Sequence, residues 1–99
     1  MTAPMRATII PSDQFCSVDG VGFNGVDMTS VAPEVHAVQW YGSHGEVEIQ
    51  DTVTGRMVSN DEITSLDAFD AVFDSYWAIR NEVEAEQAEA EAEQQIIEV

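Results

Sequence analysis

The sequence predicts an α+β fold: a small antiparallel β-sheet of five to six short strands packed against one long C-terminal helix. Three observations carry it. Through about residue 63, short β-branched and aromatic runs are separated by glycines, prolines and Asp-Gly or Asn-Gly pairs. Near Thr64-Ser65 the apolar period changes from two to about 3.6, the spacing of one helix face. From Glu84 to Gln95 the chain is Glu, Ala and Gln alone, all residues of high helix propensity.

The elements follow in order. Residues 6–10 (Arg-Ala-Thr-Ile-Ile) form a first strand, closed by Pro11 and a turn through Ser12-Asp13. Phe15–Val18 and Val21–Phe23 flank Asp19-Gly20, a hairpin signal, because a type I′ turn needs positive φ at both central residues. Asn24-Gly25 should reverse or bulge the chain before Val26-Asp27-Met28, and residues 29–34 form a connection. Val35–Tyr41 alternates strictly, which puts His36, Val38 and Trp40 on one face and Ala37, Gln39 and Tyr41 on the other. The loop Gly42–Gly45 leads into Glu46–Gln50, with Val47 and Ile49 inward and acids outward. A turn over Asp51–Gly55 precedes a short strand at Arg56–Val58.

Thr64-Ser65-Leu66-Asp67 offers a helix N-cap, and Asp67 and Asp70 suit the positive end of the helix dipole. Leu66, Phe69, Phe73 and Tyr76 make an apolar stripe, widened by Val72, Trp77, Ile79 and Val83, that should lie on the sheet. Beyond Val83 this face is lost. Like charges stand four apart at Glu82–Glu86 and Glu89–Glu93, and each such pair costs a few tenths of a kcal/mol. The expected division is therefore 1–83 as a β-rich head that includes the packed first half of the helix, and 84–99 as an acidic extension. A helix over 65–98 would span about 50 Å. Ile96, Ile97 and Val99 at its tip read either as an accidental end or as an anchor for a partner or a second copy. A heptad register can be written along the helix, but its second half is too polar for a convincing coiled coil.

Charge narrows the function. Ninety-nine residues hold 19 Asp+Glu against 3 Lys+Arg, a formal net charge of −16, and the only cations are Arg6, Arg56 and Arg80. Nothing is present to displace counterions from phosphates, which argues against nucleic-acid binding. The acid reads as colloidal repulsion, as a dock for a basic partner, or as imitation of a nucleic-acid backbone. Cys16 is the single cysteine, so no internal disulfide forms. The N-terminal residues lack a signal-peptide pattern, and no run approaches the roughly 18 apolar residues of a membrane span. The default expectation is a cytosolic origin.

Catalysis is not expected. Cys16 sits in an alternating strand as a small core residue, His36 shares a face with Val38 and Trp40 and should be packed, and His44 lies in an exposed glycine loop. One Cys and two His on three elements do not make a zinc site, and no calcium loop occurs. The glycines of Val18–Gly25 precede a strand rather than a helix, so they are turn residues and not a phosphate cradle. No cofactor is implied.

The order of segments Ala7–Asp13, Phe15–Gly20, Ala32–Gly42 and Gly45–Glu48 resembles small proteins encoded beside tail-fibre genes in tailed bacteriophages. Ile63–Leu66 and the acidic-alanine tail are similar to theirs as well. The likeness covers about residues 5–83, and its most specific piece is His36–Tyr41. It implies a tail accessory or tail-fibre assembly factor, a virion protein or chaperone, acting by protein–protein binding in the host cytoplasm during assembly or on the virion tail. No catalytic residue comes with it. The expected partner is a tail or tail-fibre protein, with Trp40, Tyr41, His44, Ile96 and Ile97 as contact candidates, since exposed aromatics anchor interfaces. The alternative is an acidic nucleic-acid mimic that inhibits a host defence nuclease. That reading requires carboxylates in rows that continue from the helix onto the head.

Overall fold

A computed structural model describes residues 5–98, with side chains described from 5 to 92. Its strands are β1 (Ala7–Ile10), β2 (Phe15–Val18), β3 (Val21–Phe23), β4 (Val35–Trp40), β5 (Gly45–Gln50) and β6 (Met57–Ile63). The long helix α1 runs from Asp70 to Glu98. The six strands form one antiparallel sheet in the order β3-β2-β1-β4-β5-β6. It is two three-stranded meanders, β1–β3 and β4–β6, joined along β1 and β4.

Local chemistry sets most of these boundaries. Pro11 ends β1 and opens a 3-10 turn at Pro11–Asp13. Asp19 (φ 50°) and Gly20 (φ 86°) both hold positive φ, the I′ geometry that tightens the β2–β3 hairpin. Gly45 stands opposite Trp40 in the β4–β5 register, and a Cβ there would run into the Gln39 carbonyl and lie 2.8 Å from the Trp40 ring. Only glycine lets the indole lie down over that strand.

One face of the sheet is covered. Ala7, Ile9, Cys16, Val18, Val38, Trp40 and Val47 pair across the strands on that face and are all buried. Phe69, Val72 and Tyr76 of the helical segment, and Val26 from the 24–34 connection, complete the core. The helix lies closest to β2 and β3. There the Tyr76 hydroxyl donates to the Val21 carbonyl at 2.6 Å and accepts from the Arg80 guanidinium at 3.1 Å. The Tyr76 ring packs on Phe23 (5.8 Å between centroids) and edge-on against Trp77 (5.3 Å). Ser75 Oγ accepts from the Asp27 amide at 2.9 Å, tying the connection to the helix. Asp27 in turn accepts from the Thr29 hydroxyl and amide, at 2.7 and 2.9 Å, and the hydroxyl bond is the larger reason its carboxyl titrates below the usual range.

Four expectations are corrected. A bulge between Val35 and Ala37 shifts the phase of β4, so Val35 joins Val38 and Trp40 in the core while His36 turns out to solvent. The shift buries a β-branched side chain in place of an imidazole, which keeps its water contacts. β6 extends to Ile63, well past Val58, although Met57–Glu62 are exposed on both faces. The helix begins later than Ser65: Ser65 Oγ accepts from the Asp67 amide at 3.1 Å, a 3-10 turn covers Asp67–Phe69, and α-helix follows from Asp70. Trp77 is 40% exposed and lies outside the core, with the Arg80 guanidinium 4.9 Å from its ring centre.

From Glu84 through residue 92 every side chain is exposed, so the helix has left the sheet by that point. The long axis of the molecule is 60 Å against 18 Å for the shortest, and the radius of gyration of 16.8 Å exceeds the roughly 13 Å of a compact chain of this length.

Tyr76→Phe strands the Val21 carbonyl and should lower the free energy of unfolding by about 1 kcal/mol in urea titration. Gly45→Ala should cost about 2 kcal/mol through overpacking against the Gln39 backbone, read in the same titration.

Candidate functional site

Candidate contact surfaces fall at three places, two of which the sequence points to. The first is the end of the sheet where the β4–β5 turn meets the start of β1. Tyr41 donates its amide to the His44 carbonyl at 2.8 Å, which closes the turn and brings the two rings to 5.5 Å. Arg6 places its guanidinium 5.8 Å from the Tyr41 ring centre, and its backbone exchanges hydrogen bonds with Asp19 across the β2–β3 turn. A groove of about 240 Å³ runs beside them, lined by Arg6, Thr8, Ser17, Gly20, Gln39 and Tyr41. Thr8 donates to Gln39 Oε1 at 2.8 Å on the floor of the uncovered sheet face.

Tyr41 (40% exposed) and His44 are available to a partner. Trp40 is not. It is 9% exposed, packed over Gly45 inside the core, and its role is structural rather than that of an exposed anchor. The alternation that makes Tyr41 face out makes its neighbour face in. The side chains of Ile96 and Ile97 lie outside the described residues.

Sequence reasoning missed the second place. On the sheet face away from the helix, Glu46 stands directly opposite Glu62, and Glu48 opposite Asn60. On the other face, beyond the reach of the helix, Asp61 pairs with Val47 in register. Like charges opposite one another in a sheet are destabilising, and among the described residues no salt bridge relieves them. Arg80, the one arginine in a salt bridge among the described residues, is 3.0 Å from Glu84 on the helix. Glu84 is also the first cause of Arg80's raised pKa, with Tyr76 next. The third place is the helix beyond residue 83, exposed and acidic through residue 92.

Ser43 Oγ and His44 Nδ1 are 3.1 Å apart, but both sit exposed on a turn rather than in a cleft that could orient a base. Among the described residues, no group of three or more His, Cys, Asp or Glu is placed to hold a metal ion, and no helix is long and apolar enough to cross a membrane. Cys16 is fully buried opposite Ile9 and Phe23, and desolvation pushes its thiol up to about 12. Comparison with known proteins finds no matching family model, no similar curated protein and no similar solved structure.

The buried thiol makes stability depend on pH on the alkaline side. In the unfolded chain the thiol ionises near its ordinary value of 9.0, and in the fold only near 12, so its contribution is fully present below about pH 9. It is lost as pH rises from there towards 12, with a limiting slope of about 1.4 kcal/mol per pH unit. Cys16→Ala should flatten that slope in urea titrations at pH 8 to 10.5. A thiol reagent at pH 8 should label the native protein only as fast as it unfolds.

Proposed function

We propose that this protein is a non-enzymatic accessory factor that acts by binding other proteins, of the kind encoded beside tail-fibre genes in tailed bacteriophages. Its task on this reading is to assist assembly of a tail or tail fibre. It would act in the host cytoplasm, or remain on the virion tail. The observation that carries the binding role is the placement of Glu46 opposite Glu62 beside Glu48 on an open sheet face. That arrangement costs stability in the free protein and gains it when a cationic surface arrives. The Tyr41–His44 turn, with its exposed ring, is the second contact candidate on the head.

The alternative, an acidic mimic of nucleic acid directed at a defence nuclease, has one observation in its favour. Acid is not confined to the helix: Glu46, Glu48 and Glu62 also cluster on the head, on the sheet face away from it. A salt-sensitive complex with a nuclease, abolished by neutralising the glutamates of 84–95, would select it over the assembly role.

Co-expression with a tagged tail fibre should bring this protein down in stoichiometric amount, and mass spectrometry of purified particles should then separate a virion component from a transient chaperone. Failure to bind any virion component overturns the assembly reading. Glu62→Gln should raise the unfolding free energy by a few tenths of a kcal/mol while weakening capture by the fibre. A variant that is both more stable and a poorer binder is the signature of a charge kept for a partner.

A further inference from the structure

The free edge of the sheet at β6 is the feature that neither the core nor the Tyr41–His44 turn accounts for. β6 is the second-longest regular element after the helix, seven residues from Met57 to Ile63, and it pairs on one side only, with β5. Among the described residues no backbone hydrogen bond from another segment reaches its outer side. Alternate residues of such a strand present both N–H and C=O to solvent, a template for another strand.

Edges of this length are ordinarily blunted by lysine, proline, a covering loop or a twist. β6 has no lysine and no proline, and six of its seven residues are exposed. Its one irregularity, the register shift opposite Ile49 and Gln50, lies at the Met57 end and leaves Ser59–Ile63 in unbroken register with β5. Met57 and Val58 add exposed apolar surface at the start of the strand, at 52% and 66% exposure. What the edge does carry is acid: Asp61 and Glu62 within it, Glu46 and Glu48 on the next strand. Those charges disfavour a second copy, since each chain carries −16 and an antiparallel β6–β6 pairing would gather the carboxylates of both. They favour a cation.

We propose that β6 accepts an extended, basic segment of a partner protein by strand addition, main chain to main chain, with Lys or Arg side chains alternating onto the Glu46–Glu48–Glu62 face. This rests on the protein-binding role proposed above and names its partner chemistry. Backbone hydrogen bonds supply the docking, and side-chain charge supplies the choice of partner. The acid that keeps copies of this chain apart is the same acid that admits the partner.

The test uses the full chain and an end-blocked nonapeptide of alternating Lys and Val, with binding read by fluorescence anisotropy at low salt and location read by amide hydrogen exchange. Binding should protect amides within 57–63. Two further peptides carry N-methyl groups on alternate residues, one set on each edge of the strand. One should bind at least tenfold more weakly and the other within twofold, because only one edge faces β6. Equal loss for both, no loss for either, or absence of binding overturns strand addition. Protection confined to 84–92 also overturns it, yet leaves cationic docking in place. β6 amides that become protected with rising protein concentration in the absence of peptide would assign the edge to a second copy and overturn the proposal. Co-purification with a tail fibre is scored separately, so a failure there removes the assembly role without touching the peptide result.

Discussion

A phenol hydroxyl held between a carbonyl and a guanidinium decides where the helix lies. Tyr76 is fully buried, yet its oxygen reaches the Val21 carbonyl on the edge hairpin and receives Arg80 from one turn further along the helix. A buried hydroxyl without partners would be costly, so the helix can seat its aromatic face only where a carbonyl meets that oxygen. The meeting point is β3, at one end of the sheet. With the helix fixed there and Val26 filling in beside it, the opposite end, β5 and β6, has little apolar cover beyond Val47 and parts of Ile49 and Ile63.

The charge distribution follows from that off-centre seat. Residues under the helix must be apolar, and they are, from Ala7 to Val47. Residues 57–62 of β6 face water on both sides and are free to be acidic, and Ser59–Glu62 contains no apolar side chain. The protein is thus polarised along its sheet, from a sealed hydrophobic end to an open carboxylate-bearing end. The surface proposed for partners lies at the second, and the helix that seals the first carries its own acid away from the head. With few cations available, Arg80 serves the core side by holding Tyr76, Glu84 and the face of Trp77 together.

The fold class is legible because turn chemistry and periodicity are local signals. Asp19-Gly20 takes positive φ at both residues as its type requires, and the change to helical period near residue 64 precedes a helical segment that starts at Asp67. What escapes is set by distant packing. β6 reads as a strand only over Arg56–Val58 because alternation arises only when one face is buried, and the helix that would bury the rest sits across the sheet. Counting back from Trp40 assigns His36 inward, and a bulge, invisible to a strict period of two, reverses it. Trp77 has the size of a core residue but lies one position past Tyr76, about 100° around the helix, off the seated face. Of the contact candidates, Tyr41 and His44 meet at one turn, as a strand followed by a glycine loop suggests, whereas Trp40 is spent on the core.

The two meanders, joined along β1 and β4, also give the chain an order of events. Each meander pairs neighbours in sequence, so its hairpins can close on the microsecond scale of local contacts. The β1–β4 seam joins residues about thirty apart, such as Ile9 and Val38, and closes more slowly because its loop is longer. The helix follows both meanders in the chain yet caps the one that comes first, through Tyr76 to Val21 across 55 residues. During synthesis the first meander therefore leaves the ribosome with its apolar face uncovered, and it stays so until the whole second meander has followed it out.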